Sequence, residues 1–115
     1  MRLELLVTED DPEAMTVHLR LQQVLGEDAF ETSIQLIVVR SADDAEFLAF
    51  TGSPTVRVDG VDLYPPSAGG PVGLGRRSYP PDDDLDGAAV SATPGKRLIR
   101  RGIEQARGWG HGRYG

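Results

Sequence analysis

The sequence predicts an α/β fold: a mixed four-stranded sheet with helices on both faces, in the order βαβαββα. Three observations predict it. From residue 2 to residue 50, stretches with a strand-like alternation of apolar residues take turns with stretches of helical spacing. That alternation is the pattern of strands joined by crossover helices. An Asp59-Gly60 pair then sits between two short alternating runs, Pro54 to Val58 and Val61 to Leu63. It is the strongest short hairpin signal, because both central residues of a type I′ turn need positive φ. Finally, Thr93-Pro94 opens a last helical stretch. The strand–helix–strand unit requires a right-handed crossover and so a parallel pair, while the hairpin adds antiparallel partners.

The elements follow in order. Leu3, Leu5 and Val7 share one face of a first strand over residues 2–7. Glu9-Asp10-Asp11 precedes Pro12, and a proline at the first helical position with acids around it reads as a helix start. That helix should run from Pro12 to about Leu25, with Gly26 as its stop, burying Ala14, Val17, Leu21, Val24 and Leu25. Its acids would lie at the positive end of the helix dipole and Arg20 nearer the negative end. Residues 32–39 read as a second strand whose continuous apolar end suggests burial on both faces. Ser41-Ala42-Asp43-Asp44 resembles a capping box. A second helix follows through Phe50, burying Ala45, Leu48 and Ala49, with Gly52 as its stop. Residues 64–92 form a long Pro-, Gly- and Asp-rich loop of the kind that is either functional or mobile. Thr93 is then expected to cap a basic helix, with Pro94 at its first position. This helix runs to about Arg107 and buries Leu98, Ile99, Ile103 and Ala106. One domain, 1–107, and a Gly-rich tail, 108–115, result.

Composition limits the function. The chain of 115 residues carries a net charge of −6 and no cysteine. The acidic balance argues against nucleic-acid binding, which needs a basic footprint. After Asp86 the only acid is Glu104, against Lys96, Arg97, Arg100, Arg101, Arg107 and Arg113. No apolar run reaches membrane-spanning length. Met1–Glu9 is too short and acidic for a secretory signal. The expectation is therefore a soluble cytoplasmic protein without a membrane partner, a monomer or a homodimer. Without cysteine there is no thiolate, so thiol–disulfide exchange is excluded.

The most informative stretch is Thr51-Gly52-Ser53-Pro54-Thr55-Val56-Arg57-Val58-Asp59-Gly60. A helix, then Ser-Pro-Thr, then a short hairpin resembles the second half of the thioredoxin fold, and the whole reads as a thioredoxin-like βαβαββα sandwich. The resemblance implies a cis proline at Pro54 facing the functional site. It also implies that the backbone of Ser53 pairs with an extended peptide or with glutathione. A closer resemblance, over most of the chain, is to a group of small bacterial thioredoxin-like proteins. Those carry Cys-Pro at the first helix, Gly-Ser-Pro-Thr-Val-Arg-Val-Asp-Gly in the middle and Cys-Arg-Leu-Tyr later. The central motif is matched almost letter for letter here. Leu74-Gly75-Arg76-Arg77-Ser78-Tyr79 stands where the later motif falls, and Leu85-Asp86-Gly87 where a Leu-Ser-Gly element falls.

The departures carry the functional expectation. Asp11, just before Pro12, holds the place of the first cysteine, and Arg76 that of the second. Two readings follow: the opposite charges pair across the old thiol site, or, more simply, each faces solvent. Asp11 by itself reads as a residue stabilising the helix start, or less simply as a cation ligand or base. The expected function is a redox-inactive binding or scaffold module. Its site would be Ser53, Pro54 and Thr55 with Asp11 and Arg76, for a peptide, a protein or a small thiol, with no cofactor and no catalytic residue. An alternative is a glutathione-dependent enzyme, with glutathione held by Ser53, Pro54 and Arg76.

A third reading is a calcium-stabilised domain. Asp82, Asp84 and Asp86 followed by Gly87 fit the opening of a calcium loop. However, Thr93 stands where a bidentate glutamate belongs, and Pro80-Pro81 replaces the preceding helix; a solvated acidic turn is the simpler reading. Residues 69–77, with several glycines and Arg76-Arg77, could cradle an anion but fail the dinucleotide fingerprint. His18 and His111 are too isolated for a metal site or a triad, and no nucleophile-elbow motif is present. The basic last helix is expected to face solvent, an acidic partner or its own acidic domain.

Overall fold

The structure is a computed structural model that describes residues 1–28, 30–65, 72–85, 87 and 89–106. Four strands and three helices alternate in it: β1 (Leu3–Thr8), α1 (Ala14–Glu27), β2 (Ile34–Val39), α2 (Ala42–Phe47), β3 (Thr55–Val58), β4 (Val61–Asp62) and α3 (Lys96–Ala106). The strands make one mixed sheet in the order β2-β1-β3-β4. β1 runs parallel to β2, with Leu3 opposite Ile34 through Thr8 opposite Val39. β1 and β3 are antiparallel, and β3 turns back into β4. The hairpin forms at Asp59-Gly60, where both residues have positive φ, 52° and 83°, as a type I′ turn requires. Asp59 also ties the turn to β1, accepting from the Arg2 N–H at 2.6 Å.

Strand alternation divides the core into two layers. Leu3, Leu5 and Val7 of β1 and Val56 and Val58 of β3 face α1 and α3, packing on Val17, Leu21, Val24, Leu98, Ile99 and Ile103. Leu6 and Val39 point the other way and meet Ala45 and Phe50, so α2 covers the opposite face. Helices thus lie on both faces of the sheet, as period-two patterning demands once both faces are apolar.

Several boundaries fall elsewhere than the sequence suggests. α1 starts at Ala14 with Glu13 as its N-cap, and its first turn holds no acid. Pro12 lies one turn earlier, because the Asp11 carboxylate takes the Glu13 N–H at 2.8 Å and closes a turn of its own. Gly26 does not stop this helix, which continues to Glu27. Arg20 turns sideways to Thr93 and the Pro94 carbonyl instead of lying near the helix end. β2 is an edge strand beginning at Ile34, not a doubly buried one: Gln35 and Leu36 are exposed.

α2 ends at Phe47, and its left-handed stop residue is Ala49 (φ 52°), not Gly52. The Phe50 N–H bonds back to the Ala45 carbonyl and the Ala49 N–H to that of Glu46, a Schellman closure with Ala45 and Phe50 in contact beneath it. Ser41 caps the start as expected, accepting from the Asp44 N–H at 3.1 Å.

Thr93 does not cap α3. Asp82 does so from a distance in sequence, accepting the N–H groups of Arg97 and Leu98 at 3.0 and 3.3 Å. The helix buries Leu98, Ile99, Gly102 and Ile103. Two of its basic side chains turn to the end of α1: Lys96 and Arg100 pair with Glu27, and Arg100 with Asp28 at 3.1 Å. Hydrogen bonds from Lys96 and Arg100 hold the Glu27 carboxyl below its usual range. Of the expected readings of the basic helix, the contact with its own acidic domain forms at Lys96 and Arg100, and the solvated face holds for Arg101. The tail 108–115 lies outside the described residues. No described helix is long and apolar enough to cross a membrane.

Candidate functional site

The site forms where the end of β1, the turn before α1 and the Ser53-Pro54 junction meet. The Ser53–Pro54 peptide bond is cis. Thr8, at the end of β1, donates its N–H to the Ser53 hydroxyl at 3.0 Å. That hydroxyl donates in turn to the Asp11 carboxylate. The other Asp11 oxygen takes the Glu13 N–H and lies 3.5 Å from the Arg76 guanidinium. The Asp11 side chain is fully enclosed, while the Arg76 side chain is 52% exposed. Asp11 and Arg76 therefore pair; the reading with both facing solvent holds for Arg76 alone.

Residues 72–79 create the other wall. Within the expected loop, the described part is tied down at three points. Gly73 donates to the Phe50 carbonyl at 3.0 Å. Ser53 donates its N–H to the Gly75 carbonyl at 2.9 Å, and its carbonyl accepts from the Arg77 N–H at 3.0 Å. Tyr79 exchanges two backbone bonds with Ser91, at 2.8 and 2.7 Å. The backbone of Ser53, expected to pair with a ligand, pairs with this chain's own residues 75 and 77. Ser53, Pro54 and Thr55 are all buried. Of the five expected site residues, Arg76 alone reaches well into solvent.

Extended backbone sends successive side chains to opposite sides, so Arg77 points inward where Arg76 points out. Its guanidinium donates to Asp62 at 2.6 Å, to the Thr55 hydroxyl at 3.3 Å and to the Tyr64 carbonyl. It also lies 5.0 Å from the centre of the Tyr79 ring, within cation–π range. Its stem passes Gly52 so closely that a Cβ there would sit 2.6 Å from Arg77 Cγ. Gly52 is thus needed for this approach and for its φ of 135°, rather than as a helix stop. Sequence reasoning missed Asp62 and Tyr79, and it offered Arg77 only as a contact for an external anion, whereas Arg77 is buried against Asp62. The available signal was the Arg76-Arg77 pair: in extended backbone, one of two adjacent arginines must face the protein.

Tyr79 is almost fully buried and donates its hydroxyl to the Pro54 carbonyl. Burial pushes its pKa well above the ordinary value of 10, against a smaller downward pull from Arg77. The sign of the consequence is fixed. Above pH 10 the unfolded chain ionises this tyrosine and the folded chain does not, so stability is complete below pH 10 and falls as pH rises beyond it. One such group gives a slope of about 1.4 kcal/mol per pH unit. Tyr79→Phe is expected to flatten that alkaline fall. It should also lower stability at neutral pH by about 1–2 kcal/mol, because the Pro54 carbonyl loses its donor. Urea unfolding of both proteins at neutral pH and above pH 10 measures both effects.

Among the described residues the acidic stretch does not gather into a cation site. Asp82 gives both carboxylate oxygens to α3, Asp84 lies against Gly87, and Asp86 lies outside the described residues. No group of three or more metal-ligating side chains occurs among the described residues. Of the expected anion cradle, residues 69–77, positions 69–71 are also outside them. His18 is half-buried on α1.

Chemically, the site is a buried carboxylate neutralised from outside by one arginine. The Ser53 hydroxyl is not a nucleophile here: it is fully buried and bonded on both sides. Arg76 is different. Its guanidinium has five donors in a planar fork, and only one edge meets Asp11, so it can take a second carboxylate from outside. Comparison with family models, with curated proteins and with solved structures finds no match.

Proposed function

We propose that this chain is a cysteine-less thioredoxin-like domain that works by binding, with Arg76 as the contact point beside the Ser53–Pro54 junction. The observation that carries this reading is the Asp11–Arg76 pair at 3.5 Å. It stands where the resemblance puts two thiols and supplies a charged, half-exposed donor instead of a redox couple. The sheet order, the antiparallel third strand and the cis Ser53–Pro54 bond agree with that fold. A cytoplasmic setting belongs to the same reading.

The ligand class that suits the site is an extended peptide presenting a free carboxylate to Arg76. Main-chain pairing to Ser53 is not the mode, because its N–H and carbonyl are already bonded to residues 75 and 77. The same fact weakens the alternative in which glutathione lies along Ser53 and Pro54. Calcium stabilisation through Asp82, Asp84 and Asp86 has no support from the placement of Asp82 and Asp84.

An NMR titration tests the reading with three probes: an extended peptide with a free C-terminus, its amidated twin and glutathione. Saturable shifts at Arg76, Asp11 and Ser53 are expected with the free peptide, and they should vanish with the amidated twin and in Arg76→Ala. Saturation by glutathione alone would move the assignment to the thiol-cofactor class. No shift with any probe would end the binding reading at this site.

A further inference from the structure

The stretch from Gly75 to Tyr79 is bonded along one side only. Arg76 stands beside Ser53 as a parallel neighbour. The bonds that hold it there come from the residues around it: the Gly75 carbonyl and the Arg77 N–H bond to Ser53 at 2.9 and 3.0 Å, and Tyr79 exchanges bonds with Ser91. In an extended chain the N–H and carbonyl of one residue point one way and those of the next residue the other way. Residues 75, 77 and 79 thus face inward, and Arg76 and Ser78 turn their backbone groups outward. Among the described residues no hydrogen bond reaches the N–H or the carbonyl of either. Both residues are exposed.

Donors and acceptors repeated at every second residue are the pattern of an open sheet edge, onto which an extended chain can add as a further strand. Residues 75–77 occupy the place beside Ser53 and offer a new edge in their turn. The charge on that edge says what suits it. Arg76 is the outward-facing cation, with its side chain 52% exposed and one side of its guanidinium on Asp11. A cation on an edge repels a second copy of the same edge and favours a strand that ends in an anion.

We infer that a peptide with a free C-terminus adds to this edge as an antiparallel strand, its last residue opposite Arg76 and its third-from-last opposite Ser78. The inference rests on the carboxylate reading of Arg76 above and adds how the rest of the peptide is held. The terminal carboxylate sets the direction. To end at Arg76 and still lie along Ser78, the peptide must run from Ser78 toward Arg76, against the direction of this chain. Opposed residues of an antiparallel pair exchange both backbone bonds. Ser78 then exchanges two with the third-from-last residue. The Arg76 carbonyl accepts from the last N–H, and the Arg76 N–H donates to the carboxylate, whose second oxygen takes the free edge of the guanidinium. The penultimate N–H points away from the edge and stays unbonded. Main-chain bonds and the chain end supply the affinity, so the side chains of the peptide matter little.

Four forms of one peptide with a free C-terminus test this by NMR titration of the full chain. One is unmodified; the others are N-methylated at the last, the penultimate or the third-from-last residue. N-methylation removes a backbone donor and leaves the carboxylate and the protein as they are. Methylation at the last or the third-from-last nitrogen should weaken binding about tenfold or more, and methylation at the penultimate nitrogen should leave it unchanged. Saturation with the unmodified peptide should also slow hydrogen exchange at the Arg76 and Ser78 amides. Binding that is affected alike by all three methyl positions overturns the edge pairing and leaves the Arg76–carboxylate contact standing. So does saturation with the Arg76 and Ser78 amides still exchanging as in the free protein. No binding of the unmodified peptide overturns both.

Discussion

Arg77→Ala is expected to lower stability by about 3–5 kcal/mol, the range for breaking a buried ion pair by removing one partner. The reason lies in what the side chain leaves behind. Arg77 and Asp62 are 6% and 18% exposed in their side chains, so water does little to replace either. Alanine would strand the Asp62 carboxylate and the Tyr64 carbonyl and uncover one face of the Tyr79 ring. The pair is not needed as a source of net energy, since an apolar pair of similar size can match a buried ion pair. The double variant Arg77→Met, Asp62→Leu should therefore recover part of the loss, the remainder being the Tyr64 carbonyl and N–H, which lose Arg77 and Asp62 as partners. Urea unfolding of the single and double variants measures this. A single-variant loss under about 1 kcal/mol would contradict the buried-pair account.

The second large effect is asymmetric. Asp11→Ala should lower stability by about 1–3 kcal/mol, because the buried Ser53 hydroxyl and the Glu13 N–H both lose their acceptor. Arg76→Ala removes the other half of the same ion pair, yet it should lower stability by no more than about 1 kcal/mol, since half of its side chain is in water and solvent screens the contact. The salt dependence should divide likewise, with the Arg76 contribution fading at high ionic strength and the Asp11 contribution persisting. Equal losses from the two variants would mean that Asp11 is held mainly by Arg76 and not by its hydrogen bonds. Binding should divide the opposite way: Arg76→Ala abolishes carboxylate recognition while leaving the fold nearly untouched.

Much of the architecture was legible because it rests on local patterns. The period-two run at Leu3–Val7, the helical spacing of Val17, Leu21 and Val24, and the Asp59-Gly60 turn all announce themselves within a few residues. Helix ends were less legible. Gly26 and Gly52 looked like stops because glycine tolerates left-handed backbone, but Ala49 holds that role for α2. Asp82 displaced the nearby Thr93 as the cap of α3 because its carboxylate is delivered across space. The edge position of β2 was also hidden. An apolar run looks the same whether a neighbouring strand covers it or nothing does.

The sequence by itself determined the order of elements, the hairpin and the absence of thiol chemistry, since each depends on residue type and short-range spacing. It also nominated Asp11, Ser53 and Arg76. Tertiary structure alone decided which of them is buried, that Ser53 pairs with residues 75 and 77, and that Arg77 rather than Arg76 locks the interior. Those outcomes depend on contacts between residues tens of positions apart, where burial and the loss of water set the strength of every charge and hydrogen bond. No local pattern encodes that environment.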